Sequence, residues 1–276
     1  MKVSLFDKSL RDSFLVKVSL LSAVLGLYSI FGNIPANLKN TAGISFIILL
    51  ILIYIFSWLR ANYLSNISIN IEGSVVDIKS GDLFKQDGYK VIGFNEYFDT
   101  IVDNKIISER SLNGIFIKDY LDILSKELDL LIENNVFDDE IVGKNIERIS
   151  GKETQYKIGT IYVYNDYILT AFSRFDKNNK AYLTMPDYLS FLITFWDKVN
   201  LVYAQKNVSV PIFGSGITRI KEHKNISDEE LLKIMIWTFR ISEMRFKYPA
   251  KLSIIIHPEK LNQINLFEIK NSQNGL

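Results

Sequence analysis

Residues 42–59 read AGISFIILLILIYIFSWL, eighteen positions without a charge or a proline. As a helix this run reaches about 27 Å, close to the hydrocarbon thickness of a bilayer. Twelve of the eighteen are Leu, Ile or Phe, each favouring insertion by roughly 0.3 to 0.6 kcal/mol near the centre. The run has no polar stripe, whereas a helix on a soluble core keeps one face wet. It predicts a transmembrane span, with Trp58 as interfacial anchor and Arg60 as flanking charge.

An earlier segment, residues 14–34, is a weaker span because it carries Lys17, Ser19, Ser22 and Ser29. Lys17 lies near one end and can extend to the headgroups. A signal peptide is the alternative, but no convincing small-x-small cleavage site follows and a second span comes straight after. We expect a two-helix hairpin over residues 1–62, its spans at about 14–34 and 42–59 joined through PANLKN. Lys2, Lys8, Arg11 and Lys17 precede the first span, Lys39 lies in the connection and Arg60 follows the second. The positive-inside rule then places both ends, and residues 63–276, in the cytoplasm of a multi-pass plasma-membrane protein.

Composition narrows the chemistry of the remainder. Lys and Arg number 32 against 31 Asp and Glu, a net charge of +1, so no basic excess points to nucleic acid. There is no Cys, which excludes disulfides, thiolate zinc sites and a Cys nucleophile. Two histidines, His223 and His257, exclude a His-rich metal centre.

Strand and helix signals alternate from residue 67 onward. Ile67, Ile69 and Ile71 alternate with polar residues, and Val75, Val76 and Ile78 start a second strand that stops at Ser80-Gly81-Asp82. A third covers 90–94 and ends at Asn95. An apolar periodicity through Ile117, Tyr120, Leu121, Leu124, Leu128 and Leu131 predicts a helix over 118–133. Residues 157–164 and 167–175 read as strands around Asn165-Asp166. Thr184 with Asp187, and Ser227 with Glu230, have capping-box spacing and open helices over 184–204 and 227–246. Between them 208–213 is a buried strand ending at Gly214, and 251–256 is a last strand before a short helix after Pro258. The polar stretch 138–157 reads as an exposed excursion. The pattern predicts an α/β fold, a mixed and largely parallel sheet covered by helices on both faces.

Such sheets bind ligands beyond the carboxyl ends of their strands. Asp82, directly after a strand, can accept from an exocyclic amine such as that of adenine, or cap its own turn. Asn95 can both donate and accept, which suits a ribose hydroxyl, or cap the backbone. Gly214-Ser215-Gly216 can turn successive N–H groups toward one anion, or form an ordinary turn. Neither the Walker pattern nor the dinucleotide glycine fingerprint is present.

Together, Gly81-Asp82-Leu83, Phe94-Asn95 and Phe213-Gly214-Ser215-Gly216-Ile217 resemble the macro domain, a fold that binds ADP-ribose and related nucleotides, over most of residues 67–260. The chain departs from many macro domains in lacking a run of glycines soon after the Asn; NEYFDT stands there, and Ser111-Leu112-Asn113-Gly114 is the counterpart. That combination, followed by FGSGITR, is similar to the macro domain of membrane-anchored effectors in bacterial Thoeris anti-phage systems. The resemblance implies a receptor on the bacterial inner membrane for an ADP-ribose-derived signal, made from NAD by a TIR-domain partner, with a homo-oligomer that disrupts the membrane. It implies ADP-ribose or a conjugate as ligand, no cofactor, no catalysis and no nucleic-acid partner. Asp82 would hold the adenine amine, with Leu83 a binding residue of the same turn, and Asn95 would hold a ribose. The Ser111–Gly114 loop and Gly214, Ser215, Gly216, Ile217 and Thr218 would cradle the diphosphate. Glu96, Asp99, Ser173 and Arg174 are candidates for the group on the distal ribose. Some macro domains are ADP-ribosyl hydrolases, and here Glu96 or Asp99 would have to serve as base. A plain tether that contacts a protein partner is the third possibility.

Overall fold

In the computed structural model the two apolar stretches are helices α1 (Lys8–Phe31) and α2 (Lys39–Tyr63), each long and apolar enough to cross a membrane. The described residues are 2–32, 35–137, 139–216, 218–221, 225–242, 244–247 and 249–271. Ile34, Ile217 and His223 therefore lie outside them. The chain divides into two compact units, one of residues 1–67 and 262–275, the other built on residues 68–261. Most apolar side chains of α1 and α2, Phe31 and Phe56 among them, face outward, which is not how a core helix is arranged. Polar contacts cluster at one end of the pair. Lys17 Nζ donates to Ser57 Oγ at 2.9 Å, Trp58 Nε1 to the Val3 carbonyl at 3.1 Å and Lys2 Nζ to the Leu64 carbonyl at 2.6 Å.

The second unit begins within β1 (Asn66–Ile71), where alternation leaves Ile67, Ile69 and Ile71 buried and Asn66, Ser68 and Asn70 exposed. This strand is followed by β2 (Ser74–Ser80), β3 (Tyr89–Asn95), α3 (Leu112–Ile115) with a π turn over Phe116–Tyr120, α4 (Ser125–Glu133), β4 (Ile141–Lys144), β5 (Thr154–Tyr156), β6 (Ile161–Tyr164), β7 (Tyr167–Phe175) and β8 (Ala181–Leu183). Then come α5 (Met185–Val202), β9 (Val208–Pro211), β10 (Arg219–Ile220), α6 (Asp228–Ile241) and β11 (Leu252–Ile256). A 3-10 turn over Pro258–Gln263 leads to α7 (Leu266–Asn271), which belongs to the first unit. The sheet runs β1-β2-β11-β9-β3-β7-β8-β10, with β6 on β7. The ladders β2–β11, β11–β9, β9–β3 and β3–β7 are parallel, while β6 and β8 pair with β7 antiparallel. This is the mixed, largely parallel sheet flanked by helices that the alternation predicts.

Three local expectations need correction. The helix expected over 118–133 starts at Ser125, because Leu121 and Leu124 are extended and interrupt the apolar repeat. Leu128 and Ile132 form its buried stripe, and Leu124 and Leu131 are exposed. The strand expected over 157–164 is divided by a turn in which the Lys157 carbonyl accepts from both the Thr160 N–H and its hydroxyl, while Gly159 takes a φ of +93°. Helix α6 ends at Ile241 because Ser242 turns extended, its hydroxyl bonded to the Phe239 carbonyl at 2.8 Å. Of the excursion 138–157, residues 139–157 are mostly exposed, as expected, but they also carry the β4–β5 ladder and turn the Arg148 and Lys152 side chains inward. The capping boxes account for the helix starts: Ser227 and Glu230 form the full reciprocal pair, and Thr184 Oγ1 accepts from the Asp187 N–H at 3.2 Å.

Candidate functional site

Five strands run the same way through the centre, so their carboxyl ends open on one edge of the sheet. Register fixes the neighbours: Ser80 pairs with Ile256, Pro211 with Ile255, and Asn95 with Ser173. The Gly81-Asp82-Leu83 turn, Asn95 and the Gly214 loop therefore emerge on the same edge, with β11 between the first and the last. The π turn that follows the Ser111–Gly114 segment reaches the first of them through a parallel stack of Tyr120 on Phe84, ring centres 4.1 Å apart.

At the first turn Asp82 caps a 3-10 helix, its Oδ1 accepting from the Phe84 N–H at 2.9 Å. Its side chain stays 42% exposed, with Lys85 Nζ 3.8 Å from Oδ2, so the carboxylate keeps acceptor capacity. Leu83 is buried in the core with Ile92, Leu169 and Ile255, which leaves only its backbone to face a ligand. Ser111 caps α3, its Oγ accepting from the Gly114 N–H at 3.2 Å and lying 2.5 Å from Asn113 Oδ1. Leu112 packs against the core. Gly114 has no room for a side chain, because a Cβ there would lie 2.1 Å from the Ser108 carbonyl oxygen.

In the late loop Gly214 has a φ of +85°, a region L side chains avoid. The Ser215 N–H reaches the Ile212 carbonyl at 3.3 Å, and the Cβ position of Gly216 is open space. Thr218 is half-buried, and Ile217 lies outside the described residues. Tyr188, fully buried on α5, donates from its hydroxyl to the Phe213 carbonyl at 2.9 Å, and burial pushes its phenol well above the usual range. Tyr188→Phe leaves that carbonyl short of a donor beside the glycine turn. A loss of about 1–3 kcal/mol in urea unfolding is expected.

Asn95 is buried, and both ends of its amide are in use. Its oxygen accepts from the Tyr97 and Asp99 N–H groups at 2.9 and 3.3 Å, and its nitrogen donates to Asp99 Oδ2 at 3.0 Å. It is thus a backbone cap as well as a strand-end residue. Glu96 is also buried; its carboxylate accepts from Gln155 Nε2 at 2.8 Å, the Phe175 N–H at 3.1 Å and Arg174 Nη1 at 3.4 Å. Arg174 reaches on to Asp187 at 3.3 Å. Burial pushes the Asp187 carboxyl up, but bonds from Arg174 and Thr184 outweigh it and hold the group below the usual carboxylate range. Ser173 is buried and its carbonyl accepts from the Glu96 N–H.

Sequence reasoning missed what closes this end of β3. Asp99, 0% exposed, receives both guanidinium nitrogens of Arg148, at 3.1 and 2.5 Å, and the Lys152 N–H at 2.7 Å. The Arg148 side chain is itself 6% exposed and lies over the Tyr97 ring at 3.9 Å. It donates further to the Lys152 carbonyl at 2.7 Å and to Asn179 Oδ1 at 3.1 Å. Lys152 Nζ bonds Asp129, which also holds the Thr100 hydroxyl. Residues 139–157 thus form a strap pinned across NEYFD. No local signal distinguishes Arg148 from a solvated charge, since its partner stands 49 residues earlier. Among the described residues no cluster of His, Asp and Glu is arranged to hold a metal ion. His257 is exposed, 3.9 Å from Glu259.

A mixed sheet with helices on its faces and its polar loops gathered on one edge is a macro-domain fold. A solved macrodomain mutant from Oceanobacillus iheyensis superposes with a TM-score of 0.50 at 13% identity, over 79% of this chain and 98% of that one. The same organism's macrodomain with ADP gives 0.49 at 13%, over 77% and 98%. A sequence model of the macro domain of Thoeris protein ThsA matches residues 76–257. Thoeris protein ThsA of Bacillus amyloliquefaciens (strain Y2) is 39% identical over 284 residues, 98% of this chain and 94% of that protein. The chain belongs to the Thoeris ThsA family.

Proposed function

We propose that the chain is a membrane-anchored receptor of bacterial anti-phage defence whose macro domain binds an ADP-ribose-derived signal made by a TIR-domain partner. Residues 1–62 anchor it as a hairpin in the inner membrane, with residues 63–276 in the cytoplasm. Binding gathers copies into an oligomer, and the gathered hairpins breach the bilayer. The ligand acts by preferring the assembled state, since equal affinity for both states would shift nothing. Asp82 takes the adenine amine and Asn95 a ribose hydroxyl through the remaining N–H of its amide. The Ser111–Gly114 and Gly214–Thr218 backbones cradle the diphosphate.

The observation that carries this reading is the convergence of Asp82, Asn95 and the Gly214 loop on one edge of a parallel sheet in a ThsA-family chain. The outward-facing apolar helices and the bases before the first span support the hairpin. A role without turnover is supported by Glu96 and Asp99, the carboxylates a hydrolase would need as base. Both are buried and bonded to arginines.

The test is calorimetric titration of the full chain in lipid nanodiscs with ADP-ribose, NAD and ADP-ribose conjugates, with the products assayed by chromatography. Saturable binding without release of free ADP-ribose is expected. Asp82→Ala should weaken it about 10- to 100-fold, the worth of a charged hydrogen bond. Gly214→Val should do the same by straining the loop. Undiminished binding in both variants would refute the cleft, and catalytic release of ADP-ribose would turn the assignment to a hydrolase.

A further inference from the structure

The strap over residues 139–157 inverts the usual partition of side chains. Three of its polar residues point inward: Arg148 and Lys152 bond buried or half-buried acids, and Asn145 Nδ2 donates to the Tyr97 hydroxyl at 3.0 Å. Its aliphatics face solvent. Ile149 is 90% and Ile146 78% exposed, and Ile141 and Val142 are exposed as well. All four residues of β4 are exposed, and among the described residues only β5 pairs with it. The ladder shifts register between Ile141 and Gly143, leaving Val142 without a β5 counterpart. Exposed aliphatics around an open strand edge form a surface for another chain.

We propose that this face is a self-association surface, occupied by the same segment of a second copy laid antiparallel about a two-fold axis near Val142. Charge selects the occupant. Asp139 and Glu140 stand at one end of the segment and Lys144 at the other. A two-fold near Val142 brings the acidic end of each copy to the Lys144 of its partner. Glu140 already holds Lys198 of α5, which leaves the exposed Asp139 to meet that lysine. Within 139–157 the acids Asp139, Glu140, Glu147 and Glu153 balance the bases Lys144, Arg148, Lys152 and Lys157, so nothing draws the segment to an anionic membrane or a nucleic acid. The proposal deepens the receptor reading, on which its biological meaning rests: it supplies the contact through which copies gather.

The chain contains no cysteine, so a single substitution reports one position. The full chain with Val142→Cys in phosphatidylcholine vesicles is treated with a short bismaleimide, with and without ADP-ribose. Leu201→Cys, exposed on α5, serves as the background. Cross-linked dimer at 142 should exceed that background roughly tenfold. Lys144→Glu, or Ile149→Asp, should lower it on the order of tenfold, and Asp139→Lys added to Lys144→Glu should restore it. Equal yields at 142 and 201, or no rescue by the charge exchange, overturn the surface. So does an Ile149→Cys chain labelled with a maleimide fluorophore that lipid-borne quenchers in the vesicles quench while no dimer forms, which assigns the face to the bilayer. Calorimetry on the same samples separates the two readings. ADP-ribose binding without dimer at 142 defeats this surface alone, whereas dimer without binding supports it and defeats the receptor.

Discussion

Asp99→Ala is expected to lower the free energy of unfolding by about 3–5 kcal/mol, because it leaves the Arg148 guanidinium buried and without its carboxylate. The argument rests on asymmetry. A buried ion pair contributes little net stability beside a well-packed apolar pair, but removing one partner strands a charge in a site that water does not reach. The Arg148 side chain is 6% exposed and roofed by Tyr97, so it can rehydrate only if the strap lifts. Arg148→Met keeps the stem's packing against Tyr97 but leaves the Asp99 carboxylate buried with only neutral donors. The double variant should then be less destabilised than the two singles summed, because neither charge is left alone. Urea unfolding of the three chains measures this, and strict additivity would show that the pair is not coupled. Asp99 also accepts from the Asn95 amide, so its loss releases the residue proposed to meet ribose. ADP-ribose binding should weaken together with stability.

Gly114→Ala should be the second large loss. The added methyl carbon would stand 2.1 Å from the Ser108 carbonyl oxygen, and that atom is backbone that cannot swing aside. Relief requires the Ser108–Ser111 turn to open, which breaks the Ser111 cap on the Gly114 N–H. Forced overpacking of this kind costs about 1–3 kcal/mol. The larger consequence falls on binding, because the moved backbone is the one assigned to the diphosphate. A fall in ADP-ribose affinity of about tenfold or more is expected by calorimetry. A crystal structure of the variant should show the 108–114 turn displaced. Unchanged affinity with a displaced turn would remove this segment from the site.

The legible parts of the fold are those whose cause is local. The alternation of Ile67, Ile69 and Ile71 is β1, and the Ser227–Glu230 box is the start of α6. Asp82 and Gly214 could be singled out because a strand ending on an acid or a glycine announces a turn in any context. The expected helix over 118–133 failed because an apolar repeat says which faces are greasy, not whether the backbone stays helical through Leu121 and Leu124. Asn95 shows the same limit at the site. Its residue type allows a ribose partner or a backbone cap, and only the surrounding turn shows that it already caps Tyr97 and Asp99.

By itself the amino-acid sequence determined the long charge-free helix, the α/β alternation and the strand ends at which we propose a nucleotide cleft. Hydrophobic period, turn chemistry and capping act over a few residues and survive any rearrangement of the rest. Only the tertiary structure decided that the strand ends share one edge, and that Arg148 lies inside the protein while Ile149 lies outside it. Burial is a property of what the rest of the chain places beside a residue, and the carboxylate that makes a buried arginine tolerable comes from 49 positions away.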